Sequence, residues 1–274
     1  MGTIREVRRG RLRFDVRDEG PRDGVPVVLL HGFPQDASSW DRVAPLLHAA
    51  GVRTIAPDQR GYSPDARPPH RGDYRLEWLV EDLRALLDTA GLPAAHVVGH
   101  DWGGAVAWAA GDVMPERVSS LTVLSTPHPR ALIRSLVRST QLLRSYYMVL
   151  FQVPRLPERA LAPRLEGVLR GTGLPAADAT RYAARMREPA ALTGALHWYR
   201  ALPLSRLANA PVAVPTTYVW GRADFALGRC AAELTEEEVA APYRFVEVDA
   251  GHWLPETQAA LVAEVVLDQV GDAR

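Results

Sequence analysis

Residues Val97 to Ala105 read Val-Val-Gly-His-Asp-Trp-Gly-Gly-Ala. An apolar run that breaks at Gly-x-nucleophile-x-Gly and enters a helix is a strand–turn–helix, a sharp turn that lifts one side chain above a sheet. The lifted residue here is Asp101, where a serine usually sits. A serine alkylated at a saturated carbon becomes an ether, which water does not readily cleave. An aspartate becomes an ester, which an activated water can hydrolyse. Asp101 therefore points to displacement at an sp³ carbon rather than to peptide or ester hydrolysis.

The flanking sequence alternates between strand-like and helix-like pieces. Arg11 to Val16 alternates like a strand, and Val27 to Leu30 is a short apolar run ending at His31-Gly32-Phe33-Pro34. Ser39 to Ala50 reads as a helix, with Ser38 or Ser39 as N-cap and Gly51 closing it. Val52 to Ala56 is a further strand, and Leu76 to Ala90 carries apolar residues at helical spacing up to Gly91. Strand His96–Val98, the turn, helix Trp102–Asp112 and strand Val118–Ser125 follow. Repeated β-α-β units with short apolar strands imply a mostly parallel sheet covered on both faces.

From about Thr126 to Ala210 strand-like runs vanish, and helical segments broken by prolines take their place. This reads as a helical cap inserted after the sixth strand. The β/α rhythm resumes with strands Thr216–Trp220 and Tyr243–Val248 and a closing helix over roughly Glu256–Val270. The expected organisation is a core over 1–126 and 211–274 with a cap over 127–210.

At 274 residues the chain can bury a full core, and its 47% hydrophobic and 23% charged content is that of a globular protein. A formal net charge of zero gives no reason to expect nucleic acid or an anionic membrane as partner. There is no lysine, so no Walker lysine exists, and the arginines reflect coding bias more than a binding surface. The single cysteine, Cys230, excludes an internal disulfide framework and suits a reducing compartment. The N-terminus lacks a hydrophobic signal core, and no apolar run is long enough to span a bilayer, so a cytoplasmic location is expected.

Two further residues complete a constellation with Asp101. In chain order come nucleophile Asp101, acid Asp224 in Trp220-Gly221-Arg222-Ala223-Asp224, and base His252 in Asp249-Ala250-Gly251-His252-Trp253. Each lies just past a strand, where the catalytic groups of open α/β sheets gather. The sequences His31-Gly32-Phe33-Pro34, Asp58-Gln59-Arg60-Gly61-Tyr62, Gly99-His100-Asp101-Trp102-Gly103-Gly104 and Gly251-His252 resemble those of the α/β-hydrolase-fold soluble epoxide hydrolases over nearly the whole chain. That resemblance implies an eight-stranded, mostly parallel sheet flanked by helices. It also implies hydrolysis of an epoxide to a vicinal diol through an alkyl-aspartate ester, with no cofactor and no metal.

The cap supplies two tyrosines to this resemblance. Tyr146-Tyr147-Met148-Val149-Leu150-Phe151-Gln152 resembles the family stretch with a tyrosine five residues before the glutamine, which selects Tyr147 and leaves Tyr146 as its alternative. Gly194-Ala195-Leu196-His197-Trp198-Tyr199-Arg200 selects Tyr199. In the family this pair hydrogen-bonds the epoxide oxygen. Ring opening makes an alkoxide more basic than a phenolate, so a phenol of pKa about 10 can donate its proton usefully. The resemblance also implies a cis Phe33–Pro34 bond and an oxyanion hole made by the Phe33 and Trp102 N–H groups.

Haloalkane dehalogenases share the aspartate turn and are the alternative enzyme. Many carry asparagine where Phe33 stands, and a departing halide needs no proton from a tyrosine. Fluoroacetate dehalogenases carry arginines after the nucleophile, where this chain has Trp102. A non-catalytic receptor for a small apolar ligand is the alternative of another class. The expected partners are a small apolar epoxide and water, held by Phe33, Trp102, Phe151 and Trp198, with Leu150 and Leu202 as further cavity lining; oligomeric state, monomer or homodimer, stays open. Other features have bland readings. His96 and His100 bracket an extended strand about 13 Å long at strand rise and cannot share an ion. Asp58 and Arg60 tie down a loop, and Arg8, Arg9, Arg134, Arg138 and Arg144 read as solvated.

Overall fold

The computed structural model describes residues 3–206 and 210–273. Met1 and Gly2 of the N-terminal reading, and part of the expected close of the cap at 210, lie outside the described residues. Eight strands form one sheet: β1 (Glu6–Arg9), β2 (Leu12–Glu19), β3 (Val25–Leu30), β4 (Val52–Pro57), β5 (Ala95–His100), β6 (Val118–Leu124), β7 (Thr216–Gly221) and β8 (Tyr243–Val248). Their spatial order is β1-β2-β4-β3-β5-β6-β7-β8. Strands β3 to β8 run parallel, and the β1–β2 hairpin joins antiparallel through β2 and β4.

Strands β4, β5 and β7 are buried at every position because both faces of the sheet are covered. In β5 successive side chains alternate between the two cores: Val97 packs with the helices of one face and Val98 with those of the other. The core helices are α1 (Ala44–Ala49), α2 (Leu76–Thr89) and α3 (Trp102–Val113). Leu76, Leu79, Val80, Leu83, Leu86 and Leu87 of α2 are all buried, each contributing roughly 1.5–3 kcal/mol of apolar burial.

Among the described residues seven α-helices lie between β6 and β7: α4 (Pro129–Leu136), α5 (Gln141–Arg144), α6 (Tyr146–Leu150), α7 (Leu156–Leu161), α8 (Leu165–Gly171), α9 (Ala176–Arg185) and α10 (Ala191–Ala201). Helix α9 seats this layer on the core through polar contacts. Arg185 pairs with Asp58 at 2.8 Å, Asp178 with Arg42 at 2.9 Å, and the Tyr182 hydroxyl donates to Glu256 at 2.8 Å. After β7 come α11 (Arg229–Leu234), α12 (Leu254–Thr257) and α13 (Ala259–Asp272).

Three elements differ from the sequence expectation. The single helix expected over Ser39 to Ala50 is a 3-10 turn, Ala37–Trp40, followed by the short α1. Proline is tolerated only in a helix's first turn, and Pro45 accordingly stands at the start of α1. The cap of the 3-10 turn is Asp36, whose carboxylate accepts from Ser38 N at 2.8 Å, rather than either serine. The closing helix is split where Gln258 leaves helical geometry. Strand β1 was absent from the expectation because Glu-Val-Arg-Arg offers one inward apolar residue, Val7, and no alternation. Within it Arg9 is not merely solvated, since it pairs with Asp82 at 2.9 Å and lies over the Trp78 ring.

Candidate active site

Asp101 sits between β5 and α3 with φ 50° and ψ −119°, a backbone region that costs an L-residue energy and needs close support. Two glycines make the turn possible. A Cβ on Gly103 would run into the Leu30 carbonyl, and one on Gly32 would strike the Asp101 side chain itself. The Thr126 hydroxyl donates to the Asp101 carbonyl at 2.7 Å and pins the turn from the β6 side.

The Asp101 carboxylate is held by backbone donors. Phe33 N–H donates to Oδ1 at 2.8 Å, and Trp102 N–H also donates to the carboxylate. The Phe33–Pro34 bond in this loop is cis. Behind the loop Gln35 Oε1 accepts from Gly32 N–H at 2.8 Å, and Gln35 Nε2 donates to buried Glu256 at 2.7 Å. Burial raises the Asp101 pKa, and the His252 charge and the two N–H donors oppose the rise.

His252 Nε2 stands 3.7 Å from Asp101 Oδ2, and its Nδ1 donates to Asp224 Oδ2 at 2.8 Å. Asp224 is buried, and its Oδ1 accepts from Ala226 N at 2.8 Å and Leu227 N at 3.0 Å, so both its oxygens are engaged. The His252 carbonyl accepts from Ser125 Oγ at 2.8 Å and His100 Nε2 at 2.9 Å. Burial works against the imidazolium, but the Asp224 and Asp101 carboxylates outweigh it and push His252 up to about 9. Glu256 is pushed up to about 6 by burial, against the pull of Gln35 and Tyr182.

Two apolar chambers meet at Asp101, Tyr147 and Tyr199. The smaller, about 120 Å³, is walled by Trp102, Pro127, Leu132, Met148 and Leu202. The larger, about 290 Å³, is walled by Phe33, Phe151, Leu169, Phe225 and Trp253 and includes His252. The Tyr199 ring lies edge-on to Trp102 at 4.9 Å and to Phe151 at 5.0 Å, with Tyr147 at 6.0 Å. Burial, then the Asp101 charge, raises both phenol pKa values, which keeps the two hydroxyls protonated and able to donate. Tyr146 is 64% exposed, so Tyr147 is the one of the adjacent pair that reaches Asp101's cavity junction.

Asp101, Asp224, His252, Tyr147, Tyr199, Phe33, Trp102 and Phe151 are thus brought together. Trp198 is not. It lies behind Trp102, with its indole N–H donating to the Arg60 carbonyl at 2.8 Å, and walls neither chamber. Adjacent helical residues point in different directions, and in α10 the position facing the cavity is taken by Tyr199. Leu150 is also turned away, 55% exposed. Arg144, read as solvated, donates to the Asp224 carbonyl at 2.8 Å and borders the larger chamber. Gln35, Gln141 and Glu256 were passed over. Only Gln35 had a nearby signal, since it directly follows the His31–Pro34 motif. Among the described residues no cluster of His, Cys, Asp and Glu could hold a metal ion, and no helix is long and apolar enough to cross a membrane.

A family profile described as alpha/beta hydrolase fold matches residues 25–259. Epoxide hydrolase A of Mycobacterium tuberculosis is 34% identical over 97% of this chain and 96% of its own length. The AB hydrolase superfamily protein YfhM of Bacillus subtilis is 35% identical over 94% of each. The crystal structure of epoxide hydrolase A from Mycobacterium thermoresistibile superposes with a TM-score of 0.84 at 30% identity, covering 97% of both chains. The chain therefore belongs to the epoxide hydrolases of the α/β-hydrolase fold family.

Proposed function

We propose that the protein hydrolyses an epoxide to a vicinal diol in two steps through an ester on Asp101. Asp101 Oδ2 attacks an epoxide carbon, the ring C–O bond breaks, and its electron pair passes to the oxygen. That oxygen takes a proton from Tyr147 or Tyr199. Formation of the ester removes the Asp101 charge, so His252 loses part of what holds its pKa up and becomes available as a base. His252, oriented by Asp224, then takes a proton from water as the water oxygen attacks Asp101 Cγ. The negative charge that develops on Oδ1 faces the Phe33 and Trp102 N–H groups. Collapse breaks the Cγ–Oδ2 bond, the alkoxide on Oδ2 takes the proton held by His252 and leaves as the diol, and the second water proton passes from the Asp101 carboxyl to restore the tyrosine.

The observation that carries this reading is the division of the Asp101 carboxylate, with Oδ1 on the Phe33 N–H and Oδ2 toward His252. Two apolar chambers sharing Asp101, Tyr147 and Tyr199 favour an epoxide with an apolar arm on each carbon. Residues 127–210 act in this scheme as a cap that supplies the phenols. A haloalkane dehalogenase would share the triad but leave the tyrosine pair without a task. A receptor would need none of the five polar groups in register.

The test is product analysis of purified protein given styrene oxide, a dialkyl internal epoxide and 1-bromobutane separately, following diol and bromide. Diol without bromide is expected, with the internal epoxide preferred. Bromide without diol would overturn the assignment in favour of the dehalogenase, and neither product would favour the receptor.

A further inference from the structure

The acid that orients His252 is held from the cap as well as from its own loop. In α5, Gln141 is buried and spends its whole side chain there. Its Nε2 donates to the Ala226 carbonyl at 2.8 Å and to Ser145 Oγ at 3.0 Å, and its Oε1 accepts from Gly228 N–H at 2.8 Å. One turn later Arg144 donates to the Asp224 carbonyl at 2.8 Å and the Phe225 carbonyl at 3.3 Å. The segment Asp224–Gly228 is therefore clasped through its backbone by side chains 80 to 87 positions earlier in the chain. The same segment supplies the Ala226 and Leu227 N–H groups that aim Asp224 Oδ2 at His252.

The amide is matched to this site. A flipped amide would set its NH2 against Gly228 N–H, and a carboxylate would set an oxygen against the Ala226 carbonyl, leaving buried polar groups unpaired. Ser145 N–H donates to the Gln141 carbonyl at 2.9 Å, and Ser145 leads directly into α6, which carries Tyr147. The piece of cap that seats the ring-opening phenol thus also reads the backbone of the acid loop.

We propose that Gln141, assisted by Arg144, is a positioning residue for ester hydrolysis, acting through the Asp224–Gly228 loop to aim Asp224 and hence His252. This rests on the two-step reading above. Alkylation draws on Asp101 and the tyrosines and does not need the aim of Asp224, whereas activation of water does. Loss of the clasp therefore slows the second step selectively.

The test is single-turnover kinetics with styrene oxide on wild type, Gln141→Leu, Gln141→Glu and Arg144→Met, following ester formation and ester decay separately by quenched-flow and intact mass. In Gln141→Leu, decay should slow about tenfold or more, the scale of a small misplacement of a catalytic group, while ester formation stays within about twofold. Gln141→Glu should show the same defect at pH 8 and recover relative to wild type as the pH is lowered, because a protonated carboxyl can donate to the Ala226 carbonyl. The low-field proton resonance of the His252–Asp224 hydrogen bond should move in both Gln141→Leu and the more exposed Arg144→Met, so the proposal stays testable if the buried variant folds poorly. Formation and decay slowing in proportion, or neither changing while only Tm falls, would overturn it. A His252→Gln control that never gains substrate mass would instead overturn the two-step reading beneath it.

Discussion

His252 Nε2 stands 3.7 Å from Asp101 Oδ2, near enough for charge attraction and too far for a hydrogen bond. In a serine triad the base must touch the nucleophile to remove its proton. A carboxylate has none to lose, so in the two-step scheme proposed above His252 is free to serve a water molecule instead. The gap separates the nucleophile's chemistry from that of the base.

That separation makes the intermediate trappable. His252→Gln should still open an epoxide but leave the ester standing, so the protein gains the substrate's mass on incubation, whereas Asp101→Asn should gain nothing at first. Intact-mass spectrometry reads both. A His252→Gln protein that turns over normally without gaining mass would rule out His252 as the base.

The route of the water oxygen is a separate check. Attack at Asp101 Cγ puts solvent oxygen into the carboxylate and sends Oδ2 out in the diol. A single turnover with excess protein in ¹⁸O-water should label a peptide containing Asp101 and leave the first diol unlabelled. Label in the first diol would mean that water attacks the epoxide directly.

The phenols should act on the first step alone. Tyr147→Phe and Tyr199→Phe should each slow ester formation, and the double variant should slow it about 10²-fold or more, the usual worth of a positioned acid. Ester decay, measured on pre-formed intermediate, should change little. An undiminished double variant would reduce the pair to aromatic packing.

The raised His252 pKa carries a consequence for stability. Between the ordinary value of 6.5 and about 9, the folded protein holds a proton that the unfolded chain releases. The stability due to His252 is therefore fully present below about pH 6.5 and is lost as the pH rises through about 9. Thermal unfolding of wild type and His252→Gln from pH 6 to 10 should show the variant losing less Tm over this window. Parallel curves would place the group's pKa near its ordinary value.

Filling the smaller chamber should redraw specificity. Leu132→Trp adds bulk to a wall that only one arm of the substrate would touch. The kcat/KM for an internal dialkyl epoxide should fall by about tenfold or more, roughly the selectivity that one or two buried methylenes carry. Styrene oxide should be nearly unaffected, and equal losses for both would argue against the two-arm fit.

What could be read in the sequence was local. Asp101 declares itself because its turn needs glycines at fixed offsets, and Asp224 and His252 because each follows a recognisable strand. Phase within a helix was harder. The stretch His197-Trp198-Tyr199 offered two aromatics, and only the packing of Trp198 against Trp102 and Arg60 shows which one turns inward. The contacts of Gln141 and Arg144 were illegible for a different reason. They are made to backbone atoms, which any residue at 224–228 would provide, so no pattern in the sequence betrays them. Strand β1 escaped because an edge strand with one buried side chain has no periodicity to detect.

The unequal chambers that meet at Asp101 make the site asymmetric where a substrate need not be. A mirror-symmetric epoxide with identical arms has two carbons that chemistry in solution cannot tell apart. In the two-step scheme proposed above its arms would meet chambers of different volume, so Oδ2 should attack one carbon in preference to the other. A molecule that enters without handedness should then leave with one, imposed by the space around the reacting atoms.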